Sequence, residues 1–224
     1  MYKYLTIYFF VLCISPQLYA QTGRAPTRDG NRSFSRSVLS WRETKLQNVV
    51  LQQRDYSCGA AAMATVLKYY WGKDIGELEI LEALERTLKP EALKDRVENG
   101  LTMADMKIVA DRMGYDAAVG KLDDVSKLAE SKIPVIVAIQ VERDLSHFVA
   151  VRGCANGYVY LADPFLGNLR MNSAEFARIW IDNAIFVVTL PGKTSSAVSR
   201  LGLTPKELLQ GRLNDQVVRR QLSH

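Results

Sequence analysis

Histidine is almost missing from this chain of 224 residues: there are two, and one of them, His224, is the last residue. Cysteine is scarce too, at three. So few thiols and imidazoles give no cluster with metal-ligand spacing, and no metal or other cofactor is expected. There is no Gly-rich phosphate loop, which argues against ATP as a partner. The basic residues lack interleaved aromatics and any nucleic-acid-binding motif, so nucleic acid is not an expected partner either. Beyond the first twenty residues no apolar run is long enough to cross a bilayer.

Those first twenty residues read as a secretory signal peptide, residues 1–20. Lys3 supplies a short positive start, Tyr4 to Ile14 an apolar stretch, and Ala20 a small residue before Gln21. Leu12 precedes Cys13 where a lipoprotein would carry a small residue. An exported, periplasmic location follows as an expectation. Removal of the signal takes Cys13 with it and leaves Cys58 and Cys154. These two could pair as a disulfide in an oxidising compartment. The alternative is one reactive thiol and one inert thiol, with Cys154 at the end of an apolar strand behaving as a small hydrophobe.

Charge is unevenly spread. Residues 21–47 hold six Lys/Arg against two Asp/Glu, residues 193–224 again six against two, and residues 48–192 sixteen against twenty. A basic linker is therefore expected at 21–46, a single folded domain at 47–191, and a basic, partly helical tail at 192–224. The arginines at 24, 28, 32 and 36 suit a solvated arm, with an anionic envelope surface as the sharper alternative.

Within the domain, helical signals come first. Asn48 to Gln53 reads as a short extended segment. Cys58 to Tyr70 reads as a helix rich in small residues and apolar nearly all round, which implies central burial. Gly72 to Gly76 breaks it. Leu78, Leu81, Leu84 and Leu88 recur at helical spacing. Thr102 and Asp105 form a capping-box pattern that opens a helix running to Met113, with Gly114 as its stop. Another short helix is expected after Asp123. Strand signals follow at Ile133–Ile139, His147–Gly153, Tyr158–Ala162, Leu169–Asn172 and Ala184–Leu190, with a turn at 155–157 and a short helix at Ser173–Trp180. Helices followed by an antiparallel sheet define an α+β fold.

The chemistry centres on Cys58. A helix N-terminus favours thiolate over thiol. Gly59 is expected to leave room for the backbone of a substrate. His147 heads a strand and Asp163 ends another, and pairing through the turn at 155–157 would bring both to one end of a hairpin. That pair would act as base and orienter for a cysteine nucleophile. Gln52, six residues before Cys58, could place its amide beside the Cys58 N–H to hold an oxyanion, with Gln53 as a competing candidate.

The spacing resembles the bacteriocin-processing, double-glycine cysteine peptidases of the papain-like superfamily. There a Gln lies six residues before the catalytic Cys, a Gly follows that Cys, and an Asp follows the catalytic His by sixteen. Gln52 and Cys58 differ by six here, His147 and Asp163 by sixteen. The strings SCGAAAMATVLKYYWG, HFVAVRG and YVYLADPF are similar to the family's three blocks, and GLTMADMKIVADRMGY to the helix between them. Ser57 departs from the pattern, since the transporter-fused members carry Asp there. The resemblance implies a papain-like fold, with a helical half packed on a C-terminal antiparallel sheet. It also implies cysteine endopeptidase activity by Cys58, His147, Asp163 and Gln52. The implied substrate is an exported peptide or protein cut after small residues such as Gly-Gly. The chain looks more like stand-alone exported members found with envelope secretion channels, including the type linked to functional amyloid and biofilm. Two other readings remain at this point: a catalytically silent peptide-binding accessory, and an acyl or amide transferase using the same triad.

Overall fold

The computed structural model describes residues 23–29, 32–142 and 145–209, with side chains from residue 39 onward. The signal peptide expected at 1–20 and the part of the expected tail beyond residue 209 lie outside these residues. Two units separate, at Met1–Trp41 and Arg42–His224. In the first, within the segment expected as a linker, β1 (Gly23–Asp29) pairs antiparallel with β2 (Arg32–Val38).

The second unit carries the α+β fold. After α1 (Trp41–Leu46), the segment expected as extended at Asn48–Gln53 joins no sheet. It is held by single bonds instead: the Val50 N–H donates to Thr65 Oγ1 at 2.9 Å and the Gln52 N–H to the Pro164 carbonyl at 2.9 Å. α2 (Cys58–Thr65) is buried at every position, as its all-round apolar sequence requires. It continues as a π-helical turn over Val66–Tyr70, where Trp71 N–H bonds the Val66 carbonyl at 3.2 Å. α3 (Glu77–Glu85), α4 (Pro90–Asn99) and α5 (Met103–Arg112) follow. The capping box at Thr102 and Asp105 forms as the sequence indicates.

β3 (Asp116–Lys121) and α6 (Val125–Ala129) lead into β4 (Val135–Glu142), β5 (Leu145–Ala155), β6 (Tyr158–Asp163) and β7 (Gly167–Asn172). The chain then forms α7 (Ser173–Ile179) and β8 (Ala184–Thr189). The six strands β3 to β8 make one antiparallel sheet in the order β3-β8-β4-β5-β6-β7. One core lies between α2, α3, α5 and the sheet residues Ile136, Phe148, Ala150, Ala162 and Phe186. A second core covers the other face, where Phe176, Trp180 and Leu128 pack on Val137, Val149, Val151 and Leu161. Strand alternation explains the division, since neighbouring residues of one strand point to opposite faces.

Residues 192–209, expected as a tail, close over this unit. Leu201 is fully buried. The Arg200 N–H bonds the Tyr69 carbonyl at 2.7 Å, and Asn48 Nδ2 bonds the Arg200 carbonyl at 2.9 Å. Arg152, the extra residue at a bulge in β5, reaches Glu207 at 2.7 Å, Asn168 at 2.8 Å and the Leu201 carbonyl at 3.0 Å. Burial alone would raise the Glu207 pKa, but its bonds to Arg152 and Thr204 outweigh that and hold it low. The mixed bonding makes 192–209 a strap rather than a loose end.

Candidate active site

Cys58 is the first residue of α2, where unpaired backbone N–H groups concentrate partial positive charge. Ser57 precedes it, fully buried, and Cys58 itself is only 8 % exposed. His147 sits near the start of β5, opposite Ile139 of β4, and Asp163 is the final residue of β6. The antiparallel pairing of β5 and β6 brings them together, as expected from the turn at 155–157. His147 Nε2 and Asp163 Oδ1 are 2.8 Å apart. With Nε2 engaged, Nδ1 is the ring nitrogen left for the Cys58 thiol.

Electrostatics favour a charged imidazole. Burial opposes the charge on His147, but bonding to Asp163 and to Cys58 outweighs it and lifts the pKa to about 9. Burial likewise pushes Asp163 up, and the His147 ring together with the N–H groups of Leu166 and Phe165 brings it below its usual value. Those two N–H groups donate to Oδ1 at 3.0 and 2.7 Å, so the turn after β6 fixes the carboxylate that orients the ring.

Gln52 lies in the same neighbourhood, because its own N–H is tied to the carbonyl of Pro164, the residue after Asp163. Its side chain does not join Cys58 here. Nε2 donates to the Arg54 carbonyl at 3.0 Å, and Oε1 is buried with no hydrogen-bond partner among the described residues. Cys154 is half-buried, and desolvation raises its thiol pKa to about 11. It is free, as is Cys58, so the inert-thiol reading stands and the disulfide does not form.

Gly59 departs from expectation. It faces protein, not substrate: a Cβ there would stand 2.8 Å from Met106 Sδ, 3.2 Å from Phe148 Cδ2 and 3.6 Å from Leu101 Cβ. Its missing side chain lets α5 and β5 press against the first turn of α2. Gly59→Val should therefore overpack the site and cost about 2–3 kcal/mol in chemical denaturation. In a Met106→Ala background the same change should cost measurably less, and equal costs in both backgrounds would refute the contact.

Comparison with known families places residues 47–191 in a single match, described as the peptidase C39 family. The chain belongs to the peptidase C39 family. This C39 cysteine peptidase is 33 % identical over 178 residues to a probable functional amyloid protease, FapD, of Pseudomonas aeruginosa, a match spanning 80 % of this chain and 76 % of that protein. A FapD of Pseudomonas fluorescens is 31 % identical over 159 residues, spanning 71 % and 68 %. Among solved structures, the peptidase domain of Streptococcus ComA, a bi-functional ABC transporter, overlays with a TM-score of 0.53 at 21 % identity. That overlay covers 63 % of this C39 chain and 97 % of the ComA domain, and at such identity it speaks to the papain-like fold alone.

One participant escaped sequence reasoning. Glu77, the first residue of α3, is 2 % exposed and bonds the loop before Cys58. The substitution of Ser for Asp at position 57 was the available signal, since a hydroxyl there can meet a carboxyl group.

Proposed function

We propose that this peptidase is an exported endopeptidase that matures a peptide or protein of a functional-amyloid secretion pathway, with Cys58 as nucleophile. The 2.8 Å bond of His147 to Asp163, with the charged imidazole favoured by both Asp163 and Cys58, carries the reading. His147 takes the thiol proton, and the thiolate attacks a peptide carbonyl to form a tetrahedral oxyanion. The Cys58 N–H at the helix start donates to that oxyanion. Gln52 adds a second donor by swinging Nε2 away from Arg54, a move that its unpartnered Oε1 leaves cheap. His147 then gives its proton to the leaving amine, and water, deprotonated by the same ring, releases the acyl group from sulfur. Asp163 holds the ring's tautomer and favours its charged form throughout.

Export is supported by the signal-like residues 1–20 and by the amyloid-pathway name of the two Pseudomonas relatives. No helix among the described residues is long and apolar enough to cross a membrane. Substrates with small residues, such as Gly-Gly, ahead of the cut follow from the resemblance to the double-glycine peptidases, whose family model this chain matches.

Incubating the purified chain with a peptide that carries Gly-Gly before the scissile bond should yield two fragments by mass spectrometry. Gln52→Ala should lower kcat on that peptide by about 10²-fold with little change in KM, because its amide acts only on the developing oxyanion. An equal kcat would remove Gln52 from the site. N-terminal sequencing of the protein from a periplasmic extract should begin at Gln21, and an intact Met1 in that extract would contradict export by cleavage.

A further inference from the structure

The five residues from Gln53 to Ser57 link the proposed oxyanion donor to the proposed nucleophile. They contain no regular secondary structure beyond a turn. A loop of this kind must be held from outside if the residues at its two ends are to keep a fixed separation. The holding group is a carboxyl from α3. Glu77 accepts the Gln53 N–H, 3.0 Å from each carboxylate oxygen, and its Oε1 lies in a short hydrogen bond with Ser57 Oγ. Ser57 Oγ is also 2.7 Å from the Arg54 carbonyl and receives the Arg54 N–H at 3.3 Å. Its single hydrogen therefore has two acceptors in reach, and the loop closes around one hydroxyl.

Burial makes the arrangement costly unless it is used. Glu77 is 2 % exposed and Ser57 fully buried, and the partners of the carboxyl group are neutral donors rather than a cation. Buried carboxyl groups without a paired cation are rare. An apolar residue would fill the same space without that cost but would release both ends of the loop.

We infer that Glu77 is a positioning residue for catalysis: its buried carboxyl group, through Gln53 N–H and Ser57 Oγ, sets the distance between Gln52 and Cys58 and aims the Cys58 thiol at His147. Glu77 touches neither substrate nor reacting atom. The inference rests on the reading of Cys58 and His147 as an activated pair.

Iodoacetamide tests it without a known substrate. The rate of Cys58 alkylation at pH 7 is followed by peptide mass spectrometry on the full chain, at a temperature where circular dichroism shows each variant folded. His147→Ala should slow alkylation about tenfold. Glu77→Ala should slow it by a similar factor, because the thiol is no longer held against the ring. Glu77→Gln should restore the rate to within threefold of the parent, since an amide keeps an acceptor for Gln53 and offers an N–H to Ser57 Oγ.

A purely structural role moves the readout the other way. Loosening the loop would expose Cys58, now 8 % accessible, and speed alkylation. Alkylation of Glu77→Ala that is unchanged or faster overturns the inference, and so does Glu77→Gln as impaired as Glu77→Ala. If Glu77→Ala does not fold, Ser57→Ala carries the same test by removing one arm of the clamp, with at least a threefold slowing expected and an unchanged rate decisive against it. The two levels of reading stay separable. Slow His147→Ala with fast Glu77→Ala sinks the clamp alone, whereas His147→Ala labelling as fast as the parent sinks the activated pair and the clamp with it.

Discussion

Replacing Cys58 with alanine is expected to reduce cleavage of a Gly-Gly peptide to background, a loss of about 10³-fold or more, with the fold intact. The two halves of that expectation have separate causes. The sulfur is the only atom removed, and without it no acyl-enzyme forms. The helix loses little, because alanine is the best helix former and its neighbours Ala60, Ala61 and Ala62 are already alanines in a tightly buried turn. Thermal unfolding should shift by only a few degrees. Cleavage by Cys58→Ala within tenfold of the parent would end the nucleophile assignment. Loss of cleavage with loss of folding would be resolved by Cys58→Ser, which fills the space of the thiol with a poorer nucleophile and should be equally inactive.

The second large effect is electrostatic and has a sign that pH can check. The folded state raises the His147 pKa to about 9 from an ordinary 6.5, a preference for imidazolium of about 3 kcal/mol. A raised pKa means that this stabilisation is complete below about pH 6.5, declines as pH rises, and is gone above about 9. Asp163, held low, supplies its share only while ionised, above the ordinary carboxylate range. Asp163→Asn keeps an oxygen for the Phe165 and Leu166 N–H groups but removes the charge. The stability gap between parent and Asp163→Asn, from guanidinium unfolding, should therefore be wide near pH 5.5 and narrower by about 2 kcal/mol at pH 9.5. A gap of constant size would show that the carboxylate does not govern the imidazole. In the same variant kcat should fall by about 10²-fold, because the amide oxygen still holds the ring's tautomer but the counter-charge that favours its protonated form is lost.

Much of this could be read along the chain. The cysteine helix was legible because its apolar residues leave no polar face, and the hairpin that joins His147 to Asp163 because a turn sequence separates two apolar runs. Other elements carry no such signal. β3 is an edge strand with five of its six residues exposed, so it lacks the alternation that a half-buried strand imposes. α4 buries no residue at all and depends on Pro90 at its first position and Gly100 at its end. Asn48–Gln53 is apolar enough for a strand, yet its bonds go to a threonine on α2 and a loop carbonyl, partners that only the tertiary structure supplies. Gly59 and Glu77 escape for one reason. Periodicity tells which face of a helix is buried, not which neighbour arrives there, and both sets of neighbours are distant in sequence: Met106 and Phe148 against Gly59, the Gln53–Ser57 loop against Glu77.

The strap over 192–209 bears on where the functional unit ends. The family match stops at residue 191, but Leu201, Arg200 and Glu207 occupy positions that Tyr69, Asn48 and Arg152 are built to receive. A recombinant fragment trimmed to the match would uncover a groove beside the π-helical turn and leave the buried Arg152 guanidinium without its counter-ion. Expression boundaries for this protein belong beyond residue 209, because the folded unit extends past the stretch that defines its family.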